Sequence, residues 1–288
     1  MQTKWEQILA SQMMMSKKQQ RLCRYIQNNL QEIGVLTARQ LAEQAGVGEA
    51  TVFRFLKEMG YASYGEFRGE VHRYAVEHTQ SSYWQMKAAL QGAEQRENTL
   101  YQHILETLDL LQRSMNVNLE RSLLEAADMM LSAAEVGILG LRSSKSPALY
   151  LHALLIPFLS SVRQFSYDEH FIFEQIKGMP RGSVLFVISS WPNTKTTVQA
   201  AQFARQQGYH IILLTNSTLH PVSSLAQTIL LVPESNSRYT IAPYIVVIEA
   251  LAQEIGRRQA PGSLQKLEEM DRILAKENIT DWSESSVL

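Results

Sequence analysis

The sequence predicts an all-α domain of short helices followed by an α/β domain with a five-stranded parallel sheet flanked by helices, doubly wound. Two observations carry this prediction. Up to about residue 80, apolar residues recur at helical spacing and no run reads as a strand. From residue 136 onward, short β-rich runs alternate with helical stretches. Such alternation implies parallel pairing, because crossover helices cover both faces of the sheet. A length of 288 residues allows each domain its own core.

The first helix opens after Ser16, a good N-cap residue, and carries Leu22, Tyr25, Ile26 and Leu30. Thr37 opens a second, with Leu41, Ala42 and Ala45 on its inner face. Gly46 marks a tight turn, a third helix spans 48–59, and Gly60 closes it. A fourth begins near Ser63 and carries Phe67, Val71 and Tyr74. Residues 80–98 are polar and read as a linker or helix extension, and helices follow at 98–114 and 119–134. The strand runs are 136–139, 162–165, 184–189, 211–215 and 229–232. The helices between and after them are 146–159, 169–177, 195–207 and 240–257, and a short polar helix follows Pro261-Gly262.

Composition bounds the function. Hydrophobic residues make up 45% and charged residues 19%, a globular balance. The longest apolar stretch, 148–159, is broken by His152 and Pro157 and falls short of the roughly 20 residues a bilayer span needs. The opening MQTKWEQILASQMMM lacks the layout of a secretion signal. The single cysteine, Cys23, excludes a disulfide framework. A cytoplasmic protein without membrane contact is expected. The histidines show no metal spacing, and no GxGxxG, P-loop, HExxH or GxSxG occurs, so no cofactor, metal or catalytic residue is assigned. Residues 1–80 carry ten Lys/Arg against eight Asp/Glu, and the remainder 17 against 20. That asymmetry is slight, so a nucleic-acid partner must be argued from a motif.

The motif is LTARQLAEQAGVGEATVFRFLKEMGY. Two helices crossing steeply need small residues where their backbones approach, and Ala42 and Gly46 supply them. Leu41, Val47, Val52 and Leu56 form a shared core, leaving Glu49, Ala50, Thr51, Arg54 and Lys57 near the outer face of the second motif helix. In a helix-turn-helix that helix enters the major groove. Thr51 is placed to meet a thymine methyl or a phosphate. Arg54 is placed to bond a guanine edge, worth roughly 1–3 kcal/mol of discrimination. Lys17, Lys18, Arg39 and Arg68 are candidates for phosphate contacts that orient without reading sequence. The bland alternative is a three-helix bundle with a solvated charged face.

Two strand-to-helix junctions suit an anion. In GLRSSKSP, Ser146 and Pro147 read as N-cap and first helical residue. The backbone N–H groups there, the Ser143 and Ser144 hydroxyls and the Arg142 charge form a candidate anion site. In SSWPNTKTT, Thr194 is a candidate cap, and Ser189, Ser190 and Lys195 add polar groups. Both junctions fall at carboxyl ends of strands, where ligands of open α/β sheets collect.

Through Leu36-Thr37, Leu41-Ala42, Ala45-Gly46-Val47, Ala50-Thr51-Val52, Arg54-Phe55, Gly60-Tyr61 and Glu66-Phe67, the chain resembles the RpiR-type regulators, which join a helix-turn-helix to a sugar isomerase (SIS) domain. The resemblance resumes in the second half. It implies a DNA-binding domain at 1–80, a linker and connecting helices at 81–134, a SIS-like sensing domain at 135–260, and a tail with a short helix at 261–288. SIS domains bind phosphosugars with serines and threonines of these two loops, so it also implies ligand contacts from Ser143, Ser144, Ser189 and Thr194. The second loop departs from the usual form, with Trp191 and Pro192 where a Ser-Gly pair is common. Proline has no N–H to donate, and Trp191 either stacks on a ligand or fills the pocket. The expected function is a transcription regulator, by default a repressor, that binds double-stranded operator DNA as a homodimer or homotetramer. A phosphosugar or related small anionic metabolite would modulate it. The alternative is a phosphosugar isomerase or lyase, whose chemistry needs a positioned acid or base; Glu249, His152 and His220 are the residues within reach.

Overall fold

The computed structural model describes residues 4, 15–29, 33–79, 83, 86, 98–218, 220–235 and 240–279. Leu30, most of the segment 80–98 and the end of the tail lie outside these. The chain divides into two compact units: Met1–Leu110 with Pro233–Thr240, and Leu111–Val232 with Ile241–Leu288.

In the first unit α1 spans Lys17–Asn28, α2 Ala38–Ala45, α3 Glu49–Glu58 and α4 Tyr64–Thr79, and α5, Thr99–Ser114, runs across the boundary at Leu110. Both Ser16 and Thr37 form capping boxes with the glutamine three residues on. At Thr37 the Gln40 N–H donates to Oγ1 (3.2 Å), while the Thr37 N–H donates to Gln40 Oε1 (2.9 Å). Gly46 sits in the left-handed region at φ 63°, with its N–H on Glu43 O and the Val47 N–H on Ala42 O. This pair of bonds closes α2 and turns the chain directly into α3. Leu22, Ile26, Leu41, Ala42, Val52, Phe55, Leu56, Phe67 and Val71 form one buried core. Tyr61 packs edge-on against Phe67 with ring centroids 5.3 Å apart.

In the second unit α6 spans Val117–Ser132, β1 Val136–Leu139, α7 Lys145–Leu155, β2 Val162–Gln164 and α8 Ile172–Lys177. After these come β3 Val184–Ile188, α9 Lys195–Gln206, β4 His210–Thr215, β5 Thr228–Leu231, α10 Ala242–Arg258 and α11 Gly262–Lys276. The five strands are parallel in the order β2-β1-β3-β4-β5. Side chains alternate along β3: Val184, Phe186 and Ile188 face α6, α7 and α10, whereas Leu185 and Val187 face α8 and α9. The sheet is therefore covered on both faces, as the alternating pattern requires.

Three expectations need correction. Helix α6, read as a connector starting at residue 119, begins at Val117 with Asn116 Oδ1 accepting the Leu119 N–H (2.9 Å). Its Leu119, Leu123, Ala126, Ala127 and Met130 join the core on the sheet. Helix α7 starts at Lys145 rather than after Ser146. Residues Arg142–Ser144 form a 3₁₀ turn that leads straight into it. Helix α11 is 15 residues long, not short, because Leu264, Leu267, Met270 and Ile273 continue a helical spacing through its polar sequence.

Candidate functional site

The sheet's strand order reverses direction between β1 and β3: from β1 the chain crosses outward to β2, then returns past β1 to β3, β4 and β5. Ligands of open parallel sheets bind outside the carboxyl ends of the strands at such a switch point. Leu139 is level with Val187 in the register, so the loops that follow β1 and β3 emerge side by side. These loops carry Arg142, Ser143 and Ser144 on one side, and Ser189, Ser190, Trp191, Thr194 and Lys195 on the other.

The first loop is shaped by Gly140. Its N–H donates to Ser166 Oγ (2.9 Å), and a Cβ there would fall on the carbonyl oxygen of Ser144 and lie 2.9 Å from Ala148 Cβ. The tight turn commits some of the amides expected to receive an anion. Ser144 N–H donates to Leu141 O (3.1 Å), and Lys145 N–H donates to Arg142 O. Ser146 does not cap the helix; its hydroxyl donates to Ser143 O (3.4 Å). Ser144 is buried, whereas Arg142 and Ser143 are exposed. Arg142 itself has φ 54°, in the left-handed region.

The second loop is braced by β4 and the loop after it, of which the sequence marked only His220. Trp191 N–H donates to Asn216 Oδ1 (3.3 Å), Ser189 N–H to Leu214 O (3.1 Å), and Ser189 Oγ lies 2.8 Å from His220 Nε2. Pro192 lacks an N–H and the Trp191 amide is engaged, so these two positions offer no backbone donor. Trp191 Nε1 is buried and has no acceptor among the described residues. Thr194 occupies the N-cap position of α9, but its side chain makes no capping bond. Arg142, Lys145 and Lys195 form no ion pair among the described residues, so these junctions carry three positive charges without a salt-bridge partner there.

Of the residues considered for acid–base chemistry, Glu249 is exposed and accepts the Tyr150 hydroxyl (2.8 Å). His220 is buried, and burial lowers its pKa to about 4, so its ring is neutral at pH 7. The Val222 N–H donates to His220 Nδ1 (3.1 Å), which leaves the ring proton on Nε2. A histidine that presents N–H to a serine oxygen cannot take that serine's proton. The Ser189–His220 pair thus lacks the polarity of a nucleophile and its base.

In the helical unit the outer stripe of α3 is Ala50, Phe53, Arg54 and Lys57, with Glu49 in the first turn, all exposed. Thr51 is not on that face. It is 8% exposed, because it stands one turn before Phe55 in the buried stripe Thr51, Val52, Phe55, Leu56. Phe53, 48% exposed, takes a place on the outer face that the sequence reading left out. Lys17 and Lys18 are exposed at the start of α1, and Arg68 is exposed on α4. Arg39 pairs with Glu43 at 3.0 Å, both well exposed. Such a pair is worth little and leaves the guanidinium accessible to a phosphate.

Comparison with known proteins agrees with this fold. The profile of the helix-turn-helix domain of the rpiR family matches residues 3–77, and the SIS domain profile matches residues 129–253. The chain belongs to the RpiR family of regulators. The HTH-type transcriptional regulator HexR of Pseudomonas aeruginosa is 25% identical to this RpiR-family chain over 81% of each. A regulator from the aarA 3′ region of Providencia stuartii is 22% identical over 74% of each. Among solved structures, the fold is shared with the Vibrio vulnificus NanR protein complexed with ManNAc-6P (TM-score 0.56, 20% identity, covering 95% of this chain and 98% of that one). It is also shared with the sugar isomerase domain of an RpiR transcription factor from Sphaerobacter thermophilus (TM-score 0.58, 20% identity, covering 61% and 99%). This RpiR-family chain is a transcriptional regulator with helix-turn-helix and SIS domains. Among the described residues no helix is long and apolar enough to cross a membrane, and no cluster of His, Cys, Asp and Glu could hold a metal ion.

Proposed function

We propose that this regulator acts in the cytoplasm as a homodimer or homotetramer, binds an inverted-repeat operator, and releases it when a phosphorylated sugar occupies the loops at the β1/β3 switch point. The observation that carries the reading is the convergence of the two serine-bearing loops at that point, with Arg142 and Lys195 beside them in no ion pair among the described residues. The ManNAc-6P held by the NanR relative supports a phosphosugar as the class of effector. On the DNA side, the stripe Ala50, Phe53, Arg54 and Lys57 with Glu49 enters the major groove. Phe53 there takes the thymine-methyl contact first assigned to Thr51, and Arg54 reads a guanine. Lys17, Lys18, Arg39 and Arg68 hold phosphates. Ser143, Ser144, Ser189, Ser190, Trp191, Thr194 and Lys195 surround the effector. A coupling of about 1–3 kcal/mol between the two sites changes operator affinity about 5- to 150-fold.

The test is fluorescence anisotropy of labelled DNA from upstream of the protein's own gene, with and without a panel of sugar phosphates that includes ManNAc-6P. Affinity that falls on adding one sugar phosphate, in wild type but not in Ser144→Ala, is the expected result. Affinity indifferent to the whole panel would sink the effector reading, and turnover of a sugar phosphate by the purified protein would revive the isomerase.

A further inference from the structure

Ser189 is 4% exposed, and its two hydrogen-bonding groups are not used alike. The backbone N–H is committed to Leu214 O (3.1 Å). The Oγ faces His220 Nε2 at 2.8 Å, and the other ring nitrogen decides which way that bond runs. Because Nδ1 accepts the Val222 N–H (3.1 Å), it carries a lone pair, and the neutral ring keeps its proton on Nε2. His220 is therefore the donor and Ser189 Oγ the acceptor. The serine's own O–H remains, and no described residue accepts it. Two positions further along the loop, Trp191 Nε1–H is a second buried donor without an acceptor. Buried donors in native proteins nearly always have partners. These two donors, with the buried Asn193 Oδ1 on the same loop that has no donor among the described residues, call for a guest that brings acceptor oxygens and a hydroxyl of its own.

We propose that His220 is a positioning residue of the effector site: its Nε2–H pins the Ser189 oxygen and so fixes the Ser189 hydroxyl as a donor toward the anionic group of the ligand. The proposal rests on the reading of the β1/β3 loops as the effector site. A serine without this restraint can turn to donate or to accept, and tolerates either kind of guest. With one of its two lone pairs taken by His220, it is turned toward donating to phosphate or carboxylate oxygens and keeps a single lone pair for any arriving donor, which biases the site against an ammonium. Pro192 and the Trp191–Asn216 bond leave two positions of this loop without a backbone donor, and the pinned hydroxyl supplies a donor beside them.

The test uses the full-length protein. With ¹⁵N-labelled histidine, long-range proton–nitrogen spectra at pH 7 are expected to show His220 as the Nε2–H tautomer. A proton on Nδ1, or an imidazolium, overturns the proposal whatever binds. Binding of ManNAc-6P and of inorganic phosphate is then measured calorimetrically for wild type, H220Q, H220F, S189A and the H220F/S189A double variant. The glutamine amide restores an N–H donor, so H220Q should bind within about threefold of wild type, whereas H220F should lose about tenfold, the worth of one hydrogen bond. The double variant should bind no more weakly than S189A alone. H220F binding like wild type while S189A is weakened overturns the role of His220 and leaves the site standing. S189A binding like wild type, or neither probe binding wild type, overturns the site reading itself. If H220F fails to fold, H220A takes its place with the same loss of about tenfold expected, and near-wild-type binding by H220A overturns the role of His220.

Discussion

His220 donates to Ser189 Oγ across 2.8 Å while its opposite ring nitrogen accepts the Val222 N–H across 3.1 Å, so one buried, neutral imidazole ties the loop after β4 to the loop after β3.

That neutrality predicts a pH dependence. Burial lowers the His220 pKa from 6.5 to about 4. Between these values the unfolded chain takes up a proton that the folded chain refuses, so stability present above pH 6.5 is lost as pH falls. The slope from this group approaches about 1.4 kcal/mol per pH unit within the window. Urea unfolding at pH 7 and pH 5 should show wild type losing more stability than H220Q. Parallel losses in the two proteins would refute this.

Gly140→Ala should destabilise the second unit by about 1–3 kcal/mol, since the added methyl meets the Ser144 carbonyl and Ala148 in a packed interior. Gly182→Ala is the control. It has φ 82° but open space around it, so only left-handed strain of about 1 kcal/mol applies. Denaturant midpoints that rank the two equally would show that the turn at 141–144 yields easily.

Trp191→Phe separates stability from binding. Phenylalanine keeps an aromatic ring and removes the buried indole N–H that has no acceptor, so the free protein should melt at the same temperature or slightly higher. Binding of the sugar phosphate should weaken by about tenfold if that N–H meets an effector oxygen. A variant that loses stability and retains affinity would assign Trp191 to packing alone.

On the DNA side, Arg54→Ala should weaken operator binding by roughly 10- to 100-fold, and Phe53→Ala by a smaller factor of about 3 to 10. Thr51→Val, a change in the buried stripe, should leave operator affinity within about threefold while altering stability. Anisotropy titrations at one fixed salt concentration check all three. A Thr51→Val protein that folds but no longer binds would return Thr51 to the interface.

Much of the fold was legible because its signals are local. The strand VGIL reads as buried on both faces and spans Val136–Leu139 as expected. Thr37 with Gln40, and Gly46 in its left-handed turn, mark their helix ends by chemistry that sequence displays directly. What was missed depended on competition or on distance along the chain. Thr51 looked like a surface residue by polarity, yet its spacing to Phe55 carries it inward. Ser146-Pro147 has the form of a helix start, but the turn over Gly140 begins the helix earlier. Asn216 and His220 lie 25 and 31 residues from their partners Trp191 and Ser189, too far for any local pattern to pair them.

The two loops at the switch point open helices on opposite sides of the sheet: α7 packs with α6 and α10, and α9 with α8. An occupant gripped by both loops is therefore fastened to both layers at once, like a rivet through a laminate. Its fit governs how firmly one sheath of helices is registered to the other. A guest that satisfies only one loop would leave that registration loose, which distinguishes a tight binder from an effective signal.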